Sequence, residues 1–289
     1  MSFPESNLTY KILKAAAEGN YAVPAFNVYH TDALLGAIRA AEELNAPCMI
    51  ELFPWSLHFH GGEFIKFAVE ACHNAKVPIA VHLDHCLKEE DIAIALELPF
   101  DSIMVDAGSS DSEQNIAFVQ SVVDKAKLKG ITIEAEMGRI NGSEDGLPLV
   151  DMEELYTDPE YAAEFMKRTG AHFLAPSFGN VHGPYPEGGP LKYWQLDRVA
   201  KINELCPSEV PLVLHGTNPI IQSLIDQLIN SGVRKVNMNK NLYTHYRTFL
   251  AENAATLEMT KLQEGAVEAF KKGAMEGLRI THCDGKYAK

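Results

Sequence analysis

Cysteine is sparse: five in 289 residues, at positions 48, 72, 86, 206 and 283, with no CxxC pair among them. An odd, dispersed set excludes both a disulfide framework and a structural zinc knuckle, so buried thiols are expected. No run of about 20 apolar residues is present to span a bilayer. Hydrophobic residues at 46% and charged residues at 22% are ordinary globular usage. The opening stretch, MSFPESNLTYKILKAAAEGN, lacks the basic segment followed by an apolar one that marks a secretory leader. A soluble, cytoplasmic protein is the expectation. Basic residues are also few, 25 against 39 acidic, and the formal net charge of −14 opposes nucleic-acid binding. An anionic substrate must therefore be gathered by a local site. The glycine signature of a dinucleotide fold (GxGxxG) and that of a phosphate loop (GxxxxGK before Ser or Thr) are both missing, which weakens a nucleotide-binding sheet.

What is present is a rhythm. Short β-rich apolar runs occur at 21–28, 47–53, 78–83, 102–106, 131–136, 172–176, 211–215 and 233–238. Between them lie segments of helical period at 31–45, 63–75, 88–97, 112–129, 159–169, 193–205, 220–231 and 240–254, several opened by Thr, Asp or Ser. Eight strand–helix units imply parallel strands with crossover helices, because a hairpin cannot join a parallel pair. Near-continuous apolar strands imply cover on both faces. The expected fold is α/β, a single (β/α)₈ TIM barrel over 1–289 with additional N- and C-terminal helices at 7–18 and about 260–278. Two polar loops, 138–158 and 179–192, break the rhythm after predicted strands, and long loops in compact domains usually carry function.

In such barrels the chemistry sits at the C-terminal ends of the strands. Those ends read His82-Leu83-Asp84-His85, Asp106, Glu134 and Glu136, Asn180-Val181-His182-Gly183, His215-Gly216, and Asn237-Met238-Asn239. Three imidazoles from three strands, His85, His182 and His215, can bind zinc and leave a fourth position open for catalysis. Gly183 and Gly216 directly follow two of them and permit close backbone approach. Asp84 and His85 are adjacent, so both can address one site only where strand gives way to loop. Asp84 then either moves a proton beside the metal or caps the helix beginning near Lys88. His58 and His60, in WSLHFHGG, read as surface loop residues, and His172, at a strand start, reads as structural.

Six segments in order resemble the successive motifs of the class II fructose-bisphosphate and tagatose-bisphosphate aldolases: HLDH at 82–85, EAEMGRINGSEDG at 134–146, YTDP at 156–159, FGNVHGPY at 178–185, LVLHG at 212–216 and KVNMN at 235–239. The resemblance runs from about Tyr10 to the closing GKYAK. It implies a homodimer or homotetramer of barrels, each holding one Zn²⁺, with a monovalent cation as a further candidate. The metal would polarise a ketone oxygen and stabilise an enediolate, with no Schiff base. By motif, His85, His182 and His215 are the ligands. Asp84 handles the proton of the aldol hydroxyl, Glu144 moves the carbon-bound proton, and Asp106 and Glu136 are alternative metal positions. Gly183, Gly216, Asn237, Asn239 and Lys240 are the candidate substrate contacts.

The substrate side departs from the pattern. Where the family usually has HGGSG, this chain has His215-Gly216-Thr217-Asn218-Pro219, and proline removes a backbone donor. Lys240 replaces a threonine, and Phe53-Pro54 stand where a serine is common. The leading expectation is a metal-dependent aldolase acting on an altered anionic keto or aldehyde substrate. An ordinary ketose-bisphosphate aldolase with a rebuilt phosphate site, and a non-catalytic metal-binding relative, stay open as alternatives.

Overall fold

A computed structural model describes residues 1–105, 112–137, 140–142 and 156–287. Its strands are β1 (Val23–Asn27), β2 (Cys48–Leu52), β3 (Ile79–Cys86), β4 (Ser102–Val105), β5 (Thr132–Met137), β6 (Asn141–Gly142), β7 (Phe173–Pro176), β8 (Val181–His182), β9 (Leu212–Leu214) and β10 (Val233–Met238). Eight of them close into a parallel barrel in the order β1-β10-β9-β7-β5-β4-β3-β2, and β6 pairs with β8 outside it. Closure joins the first and last strands, Val23 opposite Lys235 and Ala25 opposite Asn237. The barrel strands are buried on both faces apart from a partly exposed Arg234, which accounts for their apolar runs.

The helices are α1 (Leu8–Gly19), α2 (Thr31–Glu43), α3 (Pro54–Phe59), α4 (Gly61–His73), α5 (Glu89–Ala95), α6 (Ser112–Lys129), α7 (Pro159–Thr169), α8 (Gly189–Tyr193), α9 (Leu196–Leu205), α10 (Gln222–Asn230), α11 (Tyr243–Asn253) and α12 (Met259–Ile280). Local chemistry sets their ends. Asn7 caps α1 by accepting from the Tyr10 N–H, and Asp158 caps α7 ahead of Pro159. Gly170 ends α7 in the left-handed region. The Asn7 side chain also donates to the carbonyls of Asp101 and Gly130, so α1 plugs the N-terminal mouth of the barrel. At the seam α12 lies on α2, and Gly36 makes the close approach: a Cβ there would sit 2.9 Å from the Val267 carbonyl oxygen. Among the described residues no helix is long and apolar enough to cross a membrane, and all five cysteines are buried free thiols.

Four sequence expectations change. The segment read as a surface loop around His58 and His60 is α3, opened by Pro54 at its first position, with His60 as its C-cap. The His-Phe-His alternation hides a helix of only six residues. The helix expected at 193–205 splits into α8 and α9, and the one expected from 240 begins at Tyr243. His182 lies on β8, outside the barrel, rather than on the sixth barrel strand.

Candidate metal centre

At the C-terminal mouth, His85, Glu136, His182 and His215 each offer a ligand atom, all within 4.8 Å of one another, and all four residues are buried. His85 arrives there by a backbone irregularity. The β3–β4 register shifts between Leu83 and Cys86, and His85 adopts φ 47. The bulge breaks the two-residue alternation, so neighbours Asp84 and His85 serve one site. His215 directly follows β9 and precedes Gly216 at φ 73, where a Cβ would stand 2.6 Å from the Val181 carbonyl oxygen. Only glycine lets the β9 turn lie this close to the His182 segment.

The donor set fits a divalent zinc-like ion. His215 Nε2 is 2.9 Å from Glu134 Oε1 and donates its N–H there, which leaves the Nδ1 lone pair facing His85 Nε2 at 3.1 Å. Ligand atoms on a tetrahedral zinc with bonds of about 2.1 Å stand about 3.4 Å apart, close to that spacing. Burial, helped by Lys235 and His85, holds the His215 pKa well below the ordinary imidazole value against the pull of Asp84. The ring is therefore neutral at pH 7, the form that binds a metal. A carboxylate behind a ligating histidine is the usual means of fixing its tautomer and orientation.

Beneath this centre lies a dry layer of charge. Lys235 Nζ reaches Glu51 Oε1 at 2.7 Å, Asn237 Oδ1 at 2.8 Å and Glu134 Oε2 at 2.9 Å, and Lys235, Glu51 and Glu134 side chains are 0% exposed. A second cluster of donors, Glu51, His82 and Asp84, adjoins it, but its cation is already Lys235. Burial pushes the Glu51 carboxyl up, further raised by Asp84 and opposed by Lys235, whereas the Lys235 ammonium is raised above its ordinary value despite burial, by Glu134 and Glu51. His82 is held neutral by burial and by Lys235, with Nδ1 2.8 Å from the Ser102 hydroxyl.

Asp84 does not cap α5, whose N-cap residue is Lys88 with no side-chain bond. It accepts instead from Asn237 Nδ2 at 3.2 Å and Asn27 Nδ2 at 3.3 Å. Burial disfavours charge on Asp84, yet His85, His215 and Lys235 hold its carboxyl below the usual carboxylate range. Asp84 and His182 open onto a cavity of about 340 Å³ that Gly183, Gly216, Asn237, Asn239 and Lys240 also line. All five residues expected to contact substrate thus share one cavity. Arg247 lines it as well, and neither Lys240 nor Arg247 forms an ion pair among the described residues. Asp106 and Glu144, expected as an alternative metal position and a proton carrier, lie outside the described residues, as does most of the 138–158 loop.

Several contributors escaped the sequence reading: Asn27, Glu51, Lys235 and Arg247. A signal for Lys235 exists. His82/Asp84, Glu134/Glu136 and Lys235/Asn237 are polar pairs two apart on β3, β5 and β10, the spacing of residues facing one side of a strand. The expected structural role of His172 matches its place: its Nδ1 accepts from the Ile133 N–H at 3.0 Å at the start of β7.

Residues 7–286 match the model of the class II fructose-bisphosphate aldolases. A Coccidioides immitis protein provisionally named a fructose-1,6-bisphosphate aldolase has a crystal structure that is similar with a TM-score of 0.90, 37% identity and coverage of 98% of this chain and 99% of that one. The YdjI aldolase of Escherichia coli K12 is similar with a TM-score of 0.85 and 30% identity over 97% and 98% of the two chains. A Thermus caldophilus fructose-bisphosphate aldolase is 37% identical over 219 residues, 76% of this chain and 70% of its own. With the barrel closed, three histidines gathered at its mouth and the family model spanning nearly its full length, this chain belongs to the class II fructose-bisphosphate aldolase family.

Proposed function

We propose that the chain is a zinc-dependent aldolase, a carbon–carbon lyase, that makes or breaks an aldol bond on an anionic keto substrate. The observation that carries this reading is the buried cluster of His85, His182, His215 and Glu136 opening, beside Asp84, onto a cavity lined by Lys240 and Arg247, neither of which is ion-paired among the described residues. One Zn²⁺ per chain is held by His85, His182 and His215, with Glu136 within reach as an alternative donor. When bound, the ion supplies Lewis acidity toward a carbonyl oxygen.

The remaining work falls to the chain's own groups. Asp84, kept anionic and aimed by the amides of Asn27 and Asn237, exchanges a proton with the aldol oxygen. Glu144 carries the proton of the α-carbon. Glu134 fixes the His215 ring, and Lys235 balances Glu134. Lys240 and Arg247 take the substrate's anionic end, as point charge and planar fork, in place of the small-residue turn that Asn218-Pro219 lacks. The relatives' names bring fructose bisphosphate and its three-carbon phosphates forward as the second substrate reading. Membership of the aldolase family favours a homodimer or homotetramer, and the buried free thiols support a cytoplasmic setting.

A retro-aldol assay with and without chelator, on phosphorylated and unphosphorylated ketoses in parallel, tests the reading. Cleavage abolished by chelator and restored by Zn²⁺ is expected. Elemental analysis that finds no divalent metal, before or after reconstitution, would sink it. Lys240→Met should raise KM for the preferred substrate while leaving zinc content unchanged. Micromolar binding of dihydroxyacetone phosphate, undiminished in that variant, would favour the ordinary bisphosphate reaction.

A further inference from the structure

Tyr29 is a wall shared by two cavities. One is the polar cavity of Lys240 and Arg247, and the other, about 430 Å³, is lined by Tyr29, Phe53, Trp55, His85, Leu87 and Lys88. The metal centre sits where they meet, since adjacent residues face each side: Asp84 the first, His85 the second. The two differ in chemistry. In the second, the Phe53 ring lies nearly parallel to His85 at 6.2 Å, Tyr29 stacks on Phe53 at 6.0 Å, and Trp55 meets Tyr29 edge-on at 6.1 Å. A continuous aromatic surface thus runs outward from a proposed metal ligand. The polar lining of this cavity, beyond His85 and Tyr29, is Lys88, His58 and Asp91, and Asp91 is engaged by His58 at 2.8 Å. Lys88 is the one Lys or Arg among its described lining residues, against Lys240 and Arg247 in the first cavity, so it offers a phosphate the weaker site.

An aldol reaction needs two components. The new carbon–carbon bond forms between a ketone α-carbon that has given up a proton and an aldehyde carbon whose oxygen gains one, so atoms balance with no leaving group and no oxidant. With the anionic ketone placed in the first cavity, we infer that the second is the aldehyde subsite, and that it selects an uncharged aldehyde with an apolar or aromatic face over a phosphate-terminated one. This inference rests on the aldolase reading of the metal centre. Apolar walls favour burial of an apolar face, and a flat ring gains offset or edge-on contact with Phe53 and Trp55. A phosphate dianion would give up its water for aromatic walls and a single ammonium.

The probe is 4-fluorobenzaldehyde, followed by ligand-observed fluorine NMR on the zinc-loaded protein. Trp55→Ala and Phe53→Ser should each weaken its binding about fivefold or more, the scale of one lost ring–ring contact. Trp55→Phe, which keeps a ring, should stay within about twofold of the unaltered protein. Glyceraldehyde 3-phosphate at equal concentration should not displace the probe. Unchanged affinity in both ring-removing variants, or displacement by glyceraldehyde 3-phosphate at equal or lower concentration, overturns the inference. The aldolase reading has its own readout in the same unaltered sample: zinc-dependent exchange of α-C–H for deuterium in dihydroxyacetone and its phosphate. Absence of that exchange sinks the aldolase reading and leaves the binding result standing, so the two failures are distinguishable.

Discussion

Asp84 and His85 occupy neighbouring positions and do different work. In the proposed centre His85 is a metal donor and Asp84 is not, so Asp84→Asn should leave zinc content near that of the unaltered protein. Turnover should fall about 100-fold or more, the scale of a lost general acid–base group. Parallel elemental analysis and single-turnover assay check both halves, and full activity in the variant would leave Asp84 a positioning role only. His172 gives a second residue-level prediction, remote from the site. Burial, with Lys127 nearby, pushes its pKa down to about 4, and the N–H it accepts from Ile133 needs an unprotonated Nδ1. Below the unfolded value of about 6.5 the unfolded chain takes up a proton that the folded chain refuses, so this contribution is full above pH 6.5 and is lost as pH falls toward 4. Between pH 7.5 and 5.5 the loss is about 1.3 kcal/mol from this group. Urea unfolding at the two pH values should show His172→Gln with a shallower dependence by about that amount; parallel dependences would remove His172 from the acid sensitivity.

Among the elements, helix against helix at the seam offers a test in which two effects oppose. Gly36→Ala improves intrinsic helix propensity by about 1 kcal/mol. Its Cβ would stand 2.9 Å from the Val267 carbonyl oxygen and 3.1 Å from the Lys271 nitrogen, both backbone atoms of α12 that cannot rotate aside. Overpacking of this kind costs about 1–3 kcal/mol, so net destabilisation is expected, and a raised thermal midpoint would show that α2 and α12 separate easily. The same contrast governs what could be read from sequence. Strands such as Ile79–Cys86 or Val233–Met238 announce themselves because double-sided burial demands apolar runs, and Asp158-Pro159 announces α7 because capping is local chemistry. The six residues of α3 are too few for a helical period, and the β6–β8 pairing joins Asn141 to Val181 through no local rule. The three histidines were legible as strand-end polar residues. Glu51 was not, since it looks unremarkable alone and acquires meaning only when β2, β5 and β10 bring it to Lys235 and Glu134. Arg247 stands on α11, outside the strand ends where chemistry was sought.

For the molecule as a whole, metal binding and folding are linked if the site exists only in the folded chain. Zn²⁺ at about 100 times its dissociation constant should stabilise the fold by about 2.7 kcal/mol. For a chain of this size that is a rise of about 5 °C or more in thermal midpoint, absent with Mg²⁺ and much reduced in His182→Ala. Calorimetry checks it, and a midpoint indifferent to zinc would place the ion outside the cluster. The charge layer has a consequence of another kind, in the order of synthesis. Glu51 leaves the ribosome on β2 and Glu134 on β5, whereas Lys235, among the described residues the one Lys or Arg that is buried, leaves on β10. A nascent chain ending before residue 233 holds two inward carboxylates with no ammonium between them, and it lacks the strand that β1 and β9 must share. During translation, neutralising the interior, sealing the barrel and delivering Asn237 to Asp84 are one event, set by when the last strand emerges.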